Sequence, residues 1–342
     1  MIEMKIKVAV AGGVTGGHLY PALSVLENLS KACDIEVLYF TVKGKLEEKV
    51  LKKYEFNTFS LEIQGLKRPL YSLENFSRLI KVIKNKKKVY KKLKEFNPDI
   101  VFVTGGYVSY PVGVSAKKLK IPLFIHEQNV IPGLSNLKLS KFAKKIFLSF
   151  EDSKKYFPKS VNKKIVVSGN PVRETSKKTF NFEKPTILIV GGSGGSEFLN
   201  KLACILSKKL PEYDFILSSG GKSVNCNSEN LEVLSYINNI TDYYQSVSCA
   251  ITRGGATTVF ELLYFDVPSI VIPWEGSTES HQIENAKQIE KYNLGYMIKE
   301  KELDVDDLIK KIRLLITKER KFEKKENPAE VIVREILKEV KK

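Results

Sequence analysis

Apolar residues along this chain fall into short blocks rich in Val, Ile, Leu and Phe, separated by longer stretches with helical spacing. In the first half the blocks are "KVAVAG", "IEVLYF", "DIVFVTG", "PLFIHE", "KKIFLSF" and "KIVVSGNP". Continuous apolar runs alternating with helical segments predict a parallel sheet covered by helices on both faces. The plan then restarts at "KPTILIVGGSGGSEFLNKLACIL" and continues through "YDFILSSGG", "LEVLSYI", "CAITRGG" and "PSIVIPW". The expected fold class is therefore α/β, with two doubly wound, Rossmann-like domains facing across a cleft. The joint is expected in the polar stretch "GNPVRETSKKTFNFEKP". That gives an N-terminal domain over 1–169, a second domain over 170–325 and a C-terminal helical segment, 326–342, packing back on the first domain.

In open α/β sheets, ligands sit beyond the C-terminal ends of the strands, so chemistry is sought there. "AVAGGVTGGHLYPALSVLENL" ends a strand in Gly12, Gly13, Gly16, Gly17 and His18 before a helix expected from about Pro21 to Leu29. Glycine weakens strand and helix interiors, so such a cluster implies close approach to the backbone and an anion site at the helix start. Neither this loop nor Gly191–Gly195 matches G-x-G-x-x-G, and the second strand ends in Phe40-Thr41 rather than an acidic residue. "SSGGKS" lacks the first glycine of a P-loop, and "HEQN" lacks the second histidine of H-E-x-x-H. Asp304-Val305-Asp306 resembles a metal-binding D-x-D but opens a helix, where acidic residues complement the dipole. No metal site and no cofactor are expected. The chain has only three histidines; His18, His126 and His281 are each read at a strand-to-helix junction, where an imidazole can act as a base.

Composition narrows the classes. The 342 residues are 43% hydrophobic and 28% charged, as in folded globular proteins. No run approaches the ~18 apolar residues of a membrane span, and the first residues carry no signal-peptide pattern. Four cysteines without C-x-x-C spacing indicate neither a disulfide framework nor zinc, so the cytoplasm is the expected compartment. The net charge of +17 is concentrated: residues 67–94 hold eleven Lys/Arg against Glu74 alone. Within it, Leu73, Phe76, Leu79, Ile80 and Ile83 recur at helical spacing beside Lys86, Lys87 and Lys88. This is either an interfacial helix for an anionic membrane surface or a core-facing helix with a solvated lysine face. No nucleic-acid motif accompanies it, so nucleic acid is not an expected partner.

Taken in order, "GGVTGGHLYPAL", "TGGYVSYP", "HEQNVIPGLSN", "GNPVR", "VGGSGGSEFLN", "RGGATTVFEL" and "SHQIENA" resemble the MurG family of bacterial glycosyltransferases over nearly the whole chain. The resemblance implies the GT-B architecture and inverting transfer of GlcNAc from UDP-GlcNAc to the muramyl sugar of undecaprenyl-linked lipid I. That is a step of peptidoglycan synthesis, and with it of cell-wall biogenesis, cell shape and division, at the cytoplasmic face of the membrane. His18 is the implied base for the acceptor hydroxyl. Thr15, Gly16, Gly17, Asn129, Arg173, Ser193, Ile237, Ala256, Thr257, Thr258, Glu261 and Gln282 are implied at UDP-GlcNAc. Gly12, Gly13, Gly105 and Gly106 are implied at the acceptor diphosphate. Glu261 is a natural acceptor for two ribose hydroxyls, with a helix-surface carboxylate as its plain alternative and a linker salt bridge as that of Arg173. Val14 replaces or shifts a glycine of the first loop, and Gly255 stands where many members carry serine. Two other readings stay open: a related transferase acting on diacylglycerol or another polyprenyl lipid, and a non-catalytic nucleotide-sugar-binding membrane protein. A UDP-GlcNAc 2-epimerase would share the architecture, but its catalytic carboxylates find no place here.

Overall fold

A computed structural model describes residues 5–13, 15–64, 74–173, 180–192, 194–276, 281–320 and 325–340, with only the backbone of 74–84. The chain divides into two compact units, Met1–Val172 with Glu326–Lys342, and Arg173–Lys325.

Unit 1 is built on a parallel sheet of seven strands: β1 (Lys5–Gly12), β2 (Asp34–Val42), β3 (Asn57–Leu61), β4 (Ile100–Gly105), β5 (Leu123–Glu127), β6 (Lys145–Leu148) and β7 (Ile165–Val167). Their order is β3-β2-β1-β4-β5-β6-β7. Successive side chains of a strand point to opposite faces, and here both faces are buried. Ile6, Val8 and Val10 join a core with Val37, Tyr39, Ile100 and Phe102, while Ala9 and Ala11 join the opposite one with Leu38, Phe40, Val101 and Val103. The covering helices are α1 (Gly16–Ala32), the short α2 (Leu46–Val50), α3 (Glu74–Phe96), α4 (Ser109–Leu119) and α5 (Leu134–Ser140). The C-terminal segment belongs to this unit: Ala329, Ile332 and Ile336 are buried in the same core as Leu19, Leu23 and Leu26 of α1. Residues 170–172 also lie in unit 1, beyond the joint expected after 169. Ser24 Oγ and Asn327 Nδ2 both donate to the Val172 carbonyl at 3.0 Å, and Asn170 and Val172 are buried.

Unit 2 repeats the arrangement with β8 (Thr186–Val190), β9 (Asp214–Ser218), β10 (Leu231–Leu234), β11 (Cys249–Thr252), β12 (Ser269–Val271) and β13 (Gly295–Met297), ordered β10-β9-β8-β11-β12-β13, all parallel. Its helices are α6 (Glu197–Lys209), α7 (Ile240–Ser246), α8 (Ala256–Tyr264), α9 (His281–Lys291) and α10 (Val305–Ile316); unit 1's C-terminal helix is α11 (Pro328–Val340). Asp304 is the N-cap of α10, its side chain accepting from the Asp307 N–H at 2.8 Å, so the D-x-D there is a helix start.

Several expectations shift. The first helix begins at Gly16, not near Pro21, which places His18 in its first turn rather than at the end of a loop. His126 lies within β5, fully buried, not after the strand. The edge strands β3 and β13 had no apolar run to announce them, because most of their residues are only partly buried or exposed.

One side chain outside the motifs holds unit 2 together below its site. Arg320 donates to five carbonyls: Tyr244, Gln245 and Val247 at the end of α7, and Phe265 and Asp266 at the end of α8. A guanidinium has five N–H donors, and helix ends leave carbonyls without intrahelical partners, so the match is complete. Arg320→Met should destabilise unit 2 by at least about 3 kcal/mol, two bonds' worth at roughly 1.5–3 kcal/mol per charged donor. Urea unfolding followed by circular dichroism checks this; an unchanged midpoint would show that water replaces the clamp at no cost.

Candidate functional site

In unit 1 the chain leaves β1 towards β2 on one side and later returns to β4 on the other, so β1 and β4 flank the switch point of the sheet. Their last residues, Gly12 and Gly105, are register partners across a local irregularity. A Cβ on Gly12 would sit 1.8 Å from Thr104 Oγ1, and one on Gly13 would sit 2.7 Å from the buried Glu47 carboxylate. Gly105 and Gly106 take φ of +105° and +76°, the left-handed region that glycine favours. The four glycines therefore form a floor on which no side chain fits. Ser109 Oγ lies within hydrogen-bonding distance of the carbonyls of Ala11 at 2.9 Å and Gly105 at 2.5 Å, either of which its single proton can serve, and so ties the two strand ends together; the Tyr39 hydroxyl donates to the Gly12 carbonyl.

His18 stands over this floor. Its ring is packed so closely that a Cβ on Gly105 would come within 3.0 Å of Cε1. Thr104 Oγ1 donates to the His18 carbonyl at 2.7 Å, holding the first turn of α1 against β4. Thr15 is the N-cap residue, but its side chain makes no capping bond; the first N–H groups of α1, at Gly16 and Gly17, face outward from the helix start.

The segment after β5 supplies polar partners. His18 Nδ1 lies 2.9 Å from Gln128 Oε1, Gln128 Nε2 lies 2.9 Å from His126 Nδ1, and His126 Nε2 lies 3.1 Å from the Gly169 carbonyl. Both oxygens of Glu127 are engaged: Oε1 accepts from Asn129 N and Nδ2, and Oε2 from Gly133 N and Asn136 Nδ2. Glu127 thus sets the path of the loop that presents Asn129. His126 is fully buried, and burial pushes its pKa down from 6.5 to about 4 against the opposing bond to Gly169. A ring held on both nitrogens without solvent cannot take a substrate proton, so His126 is not a second candidate base.

In unit 2 the switch point lies between β8 and β11. Gly195 (φ +65°) and Gly220 (φ +70°) interlock: a Cβ on Gly195 would lie 2.2 Å from the Ser219 carbonyl oxygen, and one on Gly220 would lie 2.3 Å from Gly195 N. "SSGG", rejected as a phosphate loop, is the packing partner of the glycine turn after β8. Ser193, expected at the uridine diphosphate, lies outside the described residues. Arg253 reaches Ser196 Oγ at 2.8 Å, the Ile272 carbonyl at 3.2 Å and Glu300 Oε2 at 2.7 Å, so it joins the ends of β8, β11 and β12. Gln282 Oε1 accepts from Gly254 N at 3.1 Å and Trp274 N at 2.9 Å, which leaves its amide N–H groups as the part able to meet a ligand.

The start of α8 carries the remaining polar groups. Gly255 is its N-cap without a side-chain capping bond, Ala256 is buried, Thr258 half-buried, and Thr257 Oγ1 is buried with no hydrogen-bond partner. One turn on, Glu261 is 2% exposed and 3.6 Å from Arg173 Nη2. Arg173 Nη1 also donates to the Asn238 carbonyl at 3.4 Å, in the loop that holds the buried Ile237. Burial raises the Glu261 pKa, while the Arg173 charge and the Tyr244 hydroxyl oppose that rise. Glu261 is therefore no surface carboxylate, and the ion pair of Arg173 is made within the same cluster. Gln128, Glu127, Tyr244 and Arg253 were not singled out from the sequence; the first two lay in plain view inside "HEQN".

Among the described residues no three His, Cys, Asp or Glu side chains gather as a metal site. Lys86, Lys87 and Lys88 are exposed on α3, whose Asn85, Val89 and Leu93 face the core; Leu73 and the side chains of Phe76, Leu79, Ile80 and Ile83 lie outside the described residues.

Two parallel α/β units, each with glycine turns at its switch point, are the architecture of the GT-B glycosyltransferases. Solved structures agree. The crystal structure of Acinetobacter baumannii MurG matches with a TM-score of 0.75 at 25% identity, covering 97% of this chain and 99% of that one. The crystal structure of a putative UDP-N-acetylglucosamine 2-epimerase from Listeria monocytogenes shares the fold, with a TM-score of 0.65 at 13% identity over 98% of this chain and 97% of that one. The glycosyltransferase family 28 N-terminal domain matches residues 8–148, and the family's C-terminal domain matches residues 186–340. The chain belongs to glycosyltransferase family 28. The UDP-N-acetylglucosamine--N-acetylmuramyl-(pentapeptide) pyrophosphoryl-undecaprenol N-acetylglucosamine transferase of Thermosipho melanesiensis is 66% identical over 98% of this chain and all of its own length. The protein of that name from Thermotoga maritima is 44% identical over 98% of this chain and 99% of its own. The resemblance read from the ordered motifs is borne out.

The neutral His126 makes a test of the buried network. Its ring is unprotonated in the native state down to about pH 4, whereas an unfolded chain protonates it below about 6.5. The unfolded state then binds more protons, so stability is complete above pH 6.5 and falls as pH drops towards 4, by about 3 kcal/mol. Urea unfolding at pH 7 and pH 4 should show this loss for the wild type and a loss smaller by that amount for His126→Asn; equal losses would place the titration elsewhere.

Proposed function

We propose that this protein transfers N-acetylglucosamine from UDP-GlcNAc to the 4-hydroxyl of the muramyl sugar of lipid I, giving lipid II with inversion at the anomeric carbon. The observation that carries the reading is the full-length 66% identity to a transferase named for that donor and acceptor. The geometry fits the chemistry. His18, on a side-chain-free floor, takes the acceptor hydroxyl proton as the oxygen bonds to C1 of the sugar. The bond from C1 to the diphosphate oxygen breaks as this one forms, and UDP leaves with the electron pair. Gly12, Gly13, Gly105 and Gly106 give backbone room for the acceptor diphosphate, while Thr15, Gly16, Gly17 and Asn129 are assigned to UDP-GlcNAc. In unit 2 the N-terminus of α8, with Ala256, Thr257 and Thr258, receives the charge that develops on the donor diphosphate. The partnerless Thr257 hydroxyl supplies a donor there. Ile237 and Arg173 flank the nucleoside, Glu261 accepts from the ribose hydroxyls once Arg173 turns to the diphosphate, and Gln282 offers its amide N–H groups to the sugar.

The decisive assay is radiolabelled UDP-GlcNAc with lipid I or diacylglycerol in detergent. Labelled lipid II alone is the expected product; transfer to diacylglycerol would make the chain a different lipid glycosyltransferase, and no transfer a binding protein. His18→Ala should lower turnover by about 10²–10⁴-fold with UDP affinity intact. Glu261→Ala should weaken UDP binding by calorimetry at least about tenfold, the value of one bond to a charged group. Turnover of His18→Ala within a few-fold of wild type would move the base elsewhere.

The acceptor's lipid tail requires contact with the cytoplasmic face of the membrane, and among the described residues no helix is long and apolar enough to cross it. We assign that contact to residues 73–94, where Lys86, Lys87 and Lys88 point outward from a helix anchored by Val89 and Leu93. Each basic residue near an anionic leaflet contributes about 1 kcal/mol, so reversing all three to Glu should abolish co-sedimentation with phosphatidylglycerol vesicles at low salt while UDP binding stays unchanged. Pelleting equal to wild type would show that these lysines only solvate the helix.

A further inference from the structure

Two of the three histidines are linked through one glutamine, and the chemistry of the chain's end decides where every proton in it sits. A backbone carbonyl can only accept, so His126 Nε2, 3.1 Å from the Gly169 oxygen, carries a proton. The ring is fully buried and no carboxylate bonds to either of its nitrogens, hence it is neutral, and a neutral imidazole has a single N–H. Its Nδ1 is therefore a lone pair, and the atom 2.9 Å away must be a donor, which orients the Gln128 amide with Nε2 towards His126. The same orientation turns Oε1 towards His18 Nδ1 at 2.9 Å. An oxygen acceptor there is satisfied only by a protonated Nδ1. The other orientation of the amide would set Oε1 against the His126 lone pair and its N–H groups against the His18 nitrogen.

We infer that Gln128, itself oriented by His126 and the Gly169 carbonyl, is a positioning residue that holds neutral His18 in the Nδ1–H tautomer, so that Nε2 is the nitrogen that receives the acceptor proton. A free histidine side chain in water prefers the opposite tautomer, in which Nε2 would be a donor and useless as a base. Which nitrogen of an imidazole is protonated is set by the bond the other one makes, and here that bond comes from an amide, not a carboxylate. An amide selects the tautomer without placing a negative charge beside the ring. It also leaves no anion to form a stable ion pair with the imidazolium, so the proton is readily passed on after transfer. The inference rests on His18 being the base, and the tests separate the two claims.

With three histidines in the chain, long-range ¹H–¹⁵N correlation spectra of the uniformly labelled full-length protein can be assigned using His18→Ala. At a pH where His18 is neutral, the wild type should show an Nδ1–H, Nε2-lone-pair pattern for His18 and the reverse pattern for His126. Gln128→Met, of similar shape but with no amide, should shift His18 to the common Nε2–H form. It should lower kcat about 10–100-fold, less than loss of the base itself, with KM for UDP-GlcNAc unchanged. A wild-type His18 protonated on Nε2, or a Gln128→Met variant with wild-type tautomer and kcat, overturns the inference without any folding question. Full turnover in His18→Ala would instead remove the base and leave the tautomer result standing.

Discussion

Neighbouring parallel strands from which the chain departs in opposite directions must part at their C-terminal ends, and in unit 1 the whole site depends on how closely they approach before doing so. Gly12 and Gly105 meet in register with Thr104 Oγ1 filling the space that a side chain on Gly12 would need. That contact lets Thr104 reach the His18 carbonyl and lets the His18 ring rest on Gly105. A methyl group on Gly12 would collide with the very hydroxyl that fixes the first turn of α1. The helix start, the ring and the glycine floor are thus one packing solution.

Unit 2 meets the same topological situation with a different filling. Its glycine turn after β8 is closed by a second glycine turn after β9, backbone on backbone, and Arg253 bolts the neighbouring strand ends through Ser196, Ile272 and Glu300. Arg320 does the equivalent at the far ends of α7 and α8. The start of α8 is left with a glycine cap and an unpartnered threonine hydroxyl, while its far end is saturated with hydrogen bonds. Hydrogen bonding is concentrated at the far helix ends, which leaves polar groups in reserve at the start of α8.

Much of this was legible from period and motif. Strands buried on both faces read as apolar runs, and glycine-rich strand ends read as close backbone approach. Less legible were the features set by partners distant in sequence. β3 and β13 are edge strands with few buried positions, so no apolar run marks them. The early start of α1 depends on Thr104, from a strand that begins 84 residues after Gly16, holding the first turn in place. His126 looked like the start of a loop because "HEQN" is polar, yet the strand extends through it and its ring is satisfied by Gly169, far along the chain. Spacing marks a residue as unusual; only the fold says whether it faces ligand or core.

The roles proposed for the two clusters call for opposite electrostatics. As the proposed base, His18 would have to be neutral before the step, and the groups linked to it are an amide, a neutral imidazole and a carbonyl. A carboxylate in place of Gln128 would stabilise the imidazolium and weaken the drive to return the proton. The donor side has the opposite need, since a nucleoside diphosphate brings negative charge and hydroxyl donors. In unit 2 the cluster is ionic: Arg173 lies beside the buried Glu261. Their separation of 3.6 Å is longer than a strong charge-assisted hydrogen bond, so the pair holds its charges in a buried site without locking them together. Under the proposed roles, dipoles stand where a proton would move and ions where an anion would be held, which matches each site to the charge that appears during transfer rather than to the resting protein.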